Sequence, residues 1–140
     1  AKLRTDMLNS ARYLGRHARS NGKLGALGFC WGGGMVNQLA VALGADLRAG
    51  VPFYGAAPPL DEVARIRAAL LLQFADKDPR INAMRPEYEA ALKAAGVRYE
   101  AFSYPGTQHG FHNDSTPRYR EEAAKLAWSR TVAFFKQYVS

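Results

Sequence analysis

The residues with the clearest chemical potential surround the single cysteine of the chain. They read Gly28-Phe29-Cys30-Trp31-Gly32, which is the Gly-x-nucleophile-x-Gly spacing of a nucleophile elbow with cysteine in place of serine. The turn of an elbow is so sharp that its nucleophile takes strained backbone angles, and the flanking glycines leave room for it. The thiol would also stand at a helix N-terminus, where partial positive charge favours the thiolate. The pattern predicts a nucleophilic Cys30, and the alternative is a small buried side chain beside a glycine-rich turn.

A nucleophilic thiol needs a base, and the base needs an acid that orients it. After an elbow of this kind, the acid and then the histidine follow along the chain. The loop after the third apolar run carries Asp76 and Asp78. We predict Asp78 as the acid, because it lies deeper in the loop and Pro79 stiffens the next turn. Asp76 stays open as the second candidate, since turn chemistry could explain either residue.

Three histidines compete for the role of base. His17 falls within a predicted surface helix, whereas His109 and His112 follow the fourth predicted strand. The position of His109 at the start of this loop favours it strongly, although spacing alone leaves His112 open. The alternative for each residue is a histidine that only forms hydrogen bonds within a loop.

These loops owe their positions to a regular alternation of apolar runs. The sequence predicts strands over residues 24–29, 49–54, 69–74 and 97–104, and helices over 1–20, 35–43, 61–66, 83–95 and 117–139. Strict alternation predicts an α/β fold with a parallel sheet between layers of helices. Open parallel sheets bind ligands at the carboxyl ends of their strands, which is where the elbow, the aspartate loop and the histidine loop would all lie.

The first and last predicted helices carry apolar stripes that should face the core. In the first helix, the apolar positions recur at helical spacing: Leu3, Met7, Leu8, Ala11, Leu14 and Ala18. The last helix would begin with Thr116 as its cap and Pro117 at its first position. Its inner side would comprise Tyr119, Ala123, Leu126, Ala127, Thr131, Phe134, Phe135 and Tyr138, with Thr131 as the polar member apart from the tyrosine hydroxyls.

Composition excludes several classes of protein. The 140 residues are 48% hydrophobic and 22% charged, which is typical of one globular domain over 1–140. The net charge is +7, and the basic residues are spread along the sequence. We therefore expect them to lie on solvated helix faces, and we expect no nucleic-acid partner. We also expect no membrane-spanning segment and no signal peptide. One cysteine fits a reducing, cytoplasmic setting. The absence of zinc, P-loop and dinucleotide motifs leads us to expect no metal or cofactor.

Three segments together resemble the dienelactone hydrolase family of α/β-hydrolases. They are residues 25–33 around the elbow, 74–79 after the third strand and 104–111 around the histidine. The resemblance implies a Cys-Asp-His triad of Cys30, Asp78 and His109. It also implies a truncated α/β-hydrolase with a mostly parallel sheet of about four strands, flanked by helices, because the family's amino-terminal strands precede the elbow. In the family, backbone N–H groups stabilise the oxyanion. One of these donors has a counterpart in this sequence, the N–H of Trp31.

The resemblance leads to one principal functional hypothesis and two alternatives. The principal hypothesis is a thiol-dependent hydrolase of small-molecule carboxylic esters or lactones. The family's further arginine after the histidine has no counterpart in Phe111-His112-Asn113-Asp114, so dienelactone itself is not the expected substrate. The alternatives are a non-catalytic α/β domain retained for assembly and a redox-sensitive thiol protein. Because the first strand would be an unprotected sheet edge, we also expect a homodimer.

Overall fold

The computed structural model describes residues 2–140. Their strands are β1 (Leu24–Phe29), β2 (Leu47–Phe53), β3 (Ala69–Lys77) and β4 (Tyr99–Gln108). Their α-helices are α1 (Lys2–Arg16), α2 (Trp31–Leu43), α3 (Pro79–Asn82), α4 (Arg85–Ala94) and α5 (Glu121–Val139). Two 3₁₀ segments complete the described elements, Gly44–Asp46 and Leu60–Arg65. No helix within residues 2–140 combines the length and the apolar character needed to cross a membrane.

The four strands form one sheet in the order β1-β2-β3-β4, and each neighbouring pair is parallel. The predicted α/β class, with about four strands flanked by helices, is therefore confirmed. The seven residues of β3 from Ala69 to Ala75 are all buried, because helices cover both faces of the sheet. Leu70 and Leu72 face the layer that contains α2 and α4, and Leu71 faces the layer that contains α5.

One polar side chain interrupts the buried stretch of β3 from Ala69 to Ala75. Gln73 is 1% exposed and lies on the face toward α5. Its amide nitrogen donates to the Ala127 carbonyl oxygen at 3.1 Å and to Thr131 Oγ1 at 3.3 Å, and its oxygen accepts from the Tyr104 hydroxyl at 2.5 Å. A buried amide is stable only when it is hydrogen-bonded. This network explains why Thr131 occupies the inner stripe of the last helix.

The boundaries of several elements differ from the sequence expectations. The last helix begins at Glu121 and not at Pro117, because the preceding segment folds back onto the histidine loop and the Arg120 N–H donates to the Phe111 carbonyl oxygen at 3.0 Å. Strand β4 continues through Pro105 and Gly106 to Gln108, which pairs with Lys77 of β3 beyond an irregularity in the register. Tertiary pairing thus extends a strand past residues that usually end one.

Helix α1 is less buried than its apolar stripe predicts. It ends at Arg16, and Ala11 is its one buried residue among those described. The side chains of Leu3 and Leu14 are 64% and 56% exposed. The helix packs beside α2 and β1 at the rim of the sheet, where too little surface is available to cover the whole stripe. In the last helix, Leu126 is likewise 47% exposed, which contradicts its predicted inward position.

Strand β1 forms the edge of the sheet beside the elbow. Among the described residues it pairs with β2 alone, so its other side carries unpaired N–H and C=O groups. Leu27 and Phe29 are 38% and 37% exposed, and the strand contains no charged residue or proline. Long apolar edges of this kind are templates for pairing with another chain.

We propose that β1 pairs with the β1 strand of a second copy across a twofold axis, because a twofold contact lets the same surface serve both chains. Sedimentation velocity at micromolar concentration should then report twice the mass of one chain. Leu27→Lys places a charge on this edge and should shift the equilibrium toward the monomer. Val132→Lys is the matched control, since Val132 is 37% exposed on α5. A parent protein that sediments as a monomer contradicts the proposal.

Candidate active site

The elbow connects β1 directly to α2. Cys30 occupies the single position between them, with φ 56° and ψ −122°, a left-handed conformation that non-glycine residues seldom adopt. Its N–H donates to the Phe53 carbonyl oxygen at 3.1 Å. A Cβ at Gly28 would overlap the Gly32 carbonyl oxygen, whereas one at Gly32 would meet no atom within 4 Å. Of the two flanking glycines, Gly28 is therefore the one that the turn requires.

The two candidate acids occupy different positions in the loop after β3. Asp78 is 5% exposed, and its Oδ2 lies 2.5 Å from His109 Nδ1. Its Oδ1 accepts from the Ile81 N–H at 3.3 Å and caps α3. Asp76 instead accepts from the Gly106 N–H at 3.0 Å and so ties the carboxyl ends of β3 and β4 together. The carboxylate that contacts a histidine is thus that of Asp78.

His109 lies between the Asp78 carboxylate and the Cys30 thiol. It follows β4, and its Nε2 is 2.9 Å from Cys30 Sγ. Asp78 is acceptor-only when ionised, which assigns the Nδ1 proton to the bond with Asp78 and leaves Nε2 free to accept from the thiol. Three residues from three separate loops therefore form a continuous chain of hydrogen bonds at the carboxyl end of the sheet.

His112 belongs to an aromatic cluster and not to this chain of hydrogen bonds. Its ring centroid lies 5.0 Å from that of Phe29, 5.1 Å from that of Phe53 and 5.8 Å from that of Trp128. Burial lowers the pKa of His112, which keeps the ring neutral at pH 7. His112 thus forms part of the wall beside the thiol.

The environment of Cys30 opposes its ionisation. Although the residue as a whole is exposed, partial burial of its thiol is the largest influence and raises the pKa of the thiol, and the Asp78 carboxylate acts in the same direction. The Arg118 and Arg80 guanidinium groups and the Trp31 N–H lower the pKa of the thiol, but they do not outweigh burial. The expected thiolate at the helix N-terminus is therefore disfavoured in the resting state. The proton must leave when the thiol reacts, and His109 Nε2 is the acceptor within reach.

The sequence profile of the dienelactone hydrolase family matches residues 1–139. The chain belongs to the dienelactone hydrolase family. This match confirms the resemblance seen in the three sequence segments, and it covers nearly the whole chain, including both loops that follow β3 and β4.

Several relatives of this family member carry hydrolase names. A protein of Saccharolobus solfataricus, named as a carboxymethylenebutenolidase, is 36% identical over 82% of this chain. A Bradyrhizobium protein, named as a 2-oxo-3-(5-oxofuran-2-ylidene)propanoate lactonase, is 33% identical over 99% of it. This chain covers 44% and 60% of those two proteins, so it spans about half the length of such relatives.

Solved structures share the fold. A crystal structure from Klebsiella pneumoniae, described as a dienelactone hydrolase, superposes on 97% of this chain with a TM-score of 0.86 and 31% sequence identity, and this chain covers 61% of it. Dienelactone hydrolase from Anabaena variabilis superposes on 99% of the chain with a TM-score of 0.77, and this chain covers 60% of it. The identity in the second pair is 20%, so that likeness concerns the fold alone.

Two cavities meet at Cys30 in this family member. One has a volume of about 460 Å³ and is lined in part by Arg4, Trp31, Gln38, Arg80 and His109. The other has a volume of about 320 Å³, and its lining includes Phe29, Tyr54, His112 and Arg118. Cys30 lines both cavities, so the residue borders open space in each. Within residues 2–140, no cluster of His, Cys, Asp and Glu could hold a metal ion.

Several residues around the thiol belong to no recognisable sequence motif. Arg80 and Arg118 influence its charge, and Tyr54 packs against His109 with 4.8 Å between the ring centroids. Arg80 could have been found from its place two residues after Asp78. Tyr54 and Arg118 are distant from Cys30 in the sequence, and neither spacing predicts a contact with the thiol.

Proposed function

We propose that this protein is a thiol-dependent hydrolase of carboxylic esters or lactones. Cys30 is the nucleophile, His109 the base and Asp78 the orienting acid. The observation that carries the proposal is the position of His109, with Nδ1 2.5 Å from Asp78 Oδ2 and Nε2 2.9 Å from Cys30 Sγ. These distances lie within the reach that proton transfer between nucleophile, base and acid requires.

Acylation begins at the Cys30 thiol. His109 Nε2 takes the thiol proton as the sulfur forms a bond with the substrate carbonyl carbon, and the carbonyl oxygen becomes an oxyanion. The oxyanion then re-forms the carbonyl as the carbon–oxygen bond of the ester breaks. The leaving alkoxide takes the proton from His109, which gives an alcohol and an acyl group bound to Cys30. In a lactone, the alcohol remains attached to the acyl group.

Deacylation uses the same residues, with water in place of the thiol as the nucleophile. His109 removes a proton from water as the water oxygen attacks the thioester carbonyl carbon. The carbon–sulfur bond breaks, the sulfur regains a proton from His109, and the carboxylic acid leaves. Asp78 keeps the imidazole in the tautomer that can accept at Nε2 and stabilises the imidazolium while it exists.

The backbone N–H of Trp31 is the oxyanion donor in this proposal. It directly follows the nucleophile at the first position of α2, and it already lies near the thiol, where it lowers the pKa of Cys30. Losing one of two such donors typically reduces turnover about 10²–10³-fold. If the Trp31 N–H acts without a second donor, turnover should therefore be slow.

The names of the relatives support lactones within the proposed substrate class. Relatives that align with 82% and 99% of this chain are named as a carboxymethylenebutenolidase and a lactonase. The alternative of a redox-sensitive thiol finds less support, because a raised thiol pKa lowers the thiolate fraction on which oxidation depends. The alternative of a non-catalytic assembly domain predicts no ester turnover.

The experiment that tests the function uses p-nitrophenyl acetate. We expect release of p-nitrophenolate by the purified protein, and acid quenching during turnover should trap one acetyl group on Cys30, located by peptide mass spectrometry. Acetylation at another residue, or no turnover above that of buffer, would contradict the proposed role of Cys30.

The two aspartates provide a further test of the triad. We expect Asp78→Asn to lower turnover by about 10³-fold or more, since an amide can donate to Nδ1 and so stabilise the wrong tautomer. Asp76→Asn should cost less than about 10-fold, because the amide oxygen can still accept from the Gly106 N–H. Steady-state rates with p-nitrophenyl acetate measure both variants. A larger loss for Asp76→Asn would reverse the assignment of the acid.

A further inference from the structure

Two non-glycine residues among those described have a positive φ angle. They are Cys30, at 56°, and Tyr54, at 37°. A bulky residue in this region is strained, and such strain persists only where the surrounding structure determines the conformation. Strained residues concentrate at functional sites. The nucleophile elbow accounts for Cys30, but nothing in the triad chemistry accounts for Tyr54.

The turn at Tyr54 is attached to the elbow and to the next strand. The Phe53 carbonyl oxygen accepts from the Cys30 N–H at 3.1 Å, and the Tyr54 N–H donates to the Gln73 carbonyl oxygen at 2.7 Å. A Cβ at Gly55 would overlap the Gly33 backbone, and one at Gly33 would lie 2.6 Å from the Phe53 oxygen. The first turn of α2 therefore packs directly on this turn, which leaves it little freedom to relax.

The strained backbone directs the Tyr54 ring to the catalytic histidine. The residue is 2% exposed, and its ring centroid lies 4.8 Å from that of His109 and 5.5 Å from that of Phe111. The His109 side chain is 25% exposed, so its two polar contacts alone do not enclose the imidazole. Among the described ring contacts, that of Tyr54 is the one made to the His109 imidazole.

We propose that Tyr54 is a positioning residue whose aromatic ring holds the His109 imidazole in the orientation that joins Asp78 to Cys30. This inference rests on the proposed function, because it assumes that His109 takes a proton from Cys30. Tyr54 acts through the imidazole and has no bond-making role. Loss of the ring should let the imidazole rotate away from the thiol, while the thiol itself stays in place.

The test is alkylation of Cys30 by iodoacetamide, which needs no substrate and is followed by mass spectrometry at pH 7 and pH 10.5. At pH 7 the thiol depends on His109 for loss of its proton, whereas at pH 10.5 hydroxide can remove it. The other groups that face the thiol are Arg80, Arg118, Asp78 and the Trp31 N–H. Burial raises the pKa of Tyr54 to about 12, so its phenol stays neutral at both pH values.

We expect Tyr54→Leu to lower the alkylation rate at pH 7 about 10-fold or more, since misplacing a catalytic group by about 1 Å can cost about 100-fold. At pH 10.5 its rate should stay within about 2-fold of the parent's, and His109→Ala should show the same pattern. Tyr54→Phe keeps the ring and should recover most of the rate at pH 7. Esterase activity plays no part in this comparison. Failure of the inference about Tyr54 can therefore be distinguished from failure of the proposed function.

Tyr88→Leu is the matched control, because Tyr88 is 3% exposed and forms none of the observed ring contacts with His109. It should leave the ratio of the two alkylation rates unchanged. An unchanged ratio in Tyr54→Leu would overturn the proposal, as would a Tyr54→Phe variant as slow as Tyr54→Leu. If Tyr54→Leu lacks a cooperative melting transition, Tyr54→Met is measured in its place. If neither variant folds, the nitrogen NMR spectrum of the His109 imidazole is compared between the parent and Tyr54→Phe. The proposal requires the two spectra to agree, and a changed spectrum in Tyr54→Phe overturns it.

Discussion

Cys30→Ala is expected to lower hydrolysis of p-nitrophenyl acetate by about 10³-fold or more, because without the thiol no acyl-enzyme can form. The substitution should leave the fold intact. Cys30 is exposed, and changes at such positions usually alter the free energy of unfolding by less than about 0.5 kcal/mol. Alanine also faces the same backbone strain at φ 56° as cysteine does. Initial rates of p-nitrophenolate release and thermal melting by circular dichroism measure the two effects.

Ser10→Ala is the matched control for this prediction, since Ser10 is an exposed small residue on α1. It should keep the turnover of the parent. Alkylation of the parent with iodoacetamide should reproduce the loss seen in Cys30→Ala. If Cys30→Ala hydrolyses the ester as fast as the parent, another residue is the nucleophile, and the proposed function is wrong in its central step.

The second large effect is expected at His109. A positioned general base contributes about 10²–10⁴-fold to turnover, so His109→Ala should lose an amount in this range. His112→Ala should lose less than about 5-fold, since its ring packs among Phe29, Phe53 and Trp128 and does not bridge acid and thiol. Removing those aromatic contacts should instead lower the free energy of unfolding by about 1 kcal/mol.

Turnover and thermal melting of both histidine variants provide the measurement. Added imidazole should partly restore the activity of His109→Ala, because a small base can occupy the space left beside the thiol. The same addition should not change the activity of His112→Ala. Equal losses of turnover at the two positions, or a larger loss at His112, would contradict the assignment of His109 as the base.

The boundaries that the sequence predicted incorrectly have tertiary causes. Thr116 and Pro117 form a typical helix start, yet the helix begins at Glu121 because the Arg120 N–H donates to the Phe111 carbonyl oxygen. Pro105 and Gly106 usually end a strand, but β4 passes through them to pair with β3. In both cases a contact between segments distant in the sequence overrides the local preference.

The sequence by itself determined the elbow, the α/β class and the loops that carry Asp78 and His109, since glycine spacing and apolar periodicity are local properties. Only the tertiary structure decided which carboxylate and which imidazole meet. The bonds of His109 to Asp78 and Cys30 span 31 and 79 residues, and the register of parallel strands brings those loops together. The ring of Tyr54 reaches His109 for the same reason: a strained turn, determined by its contacts with α2 and β3, directs it there.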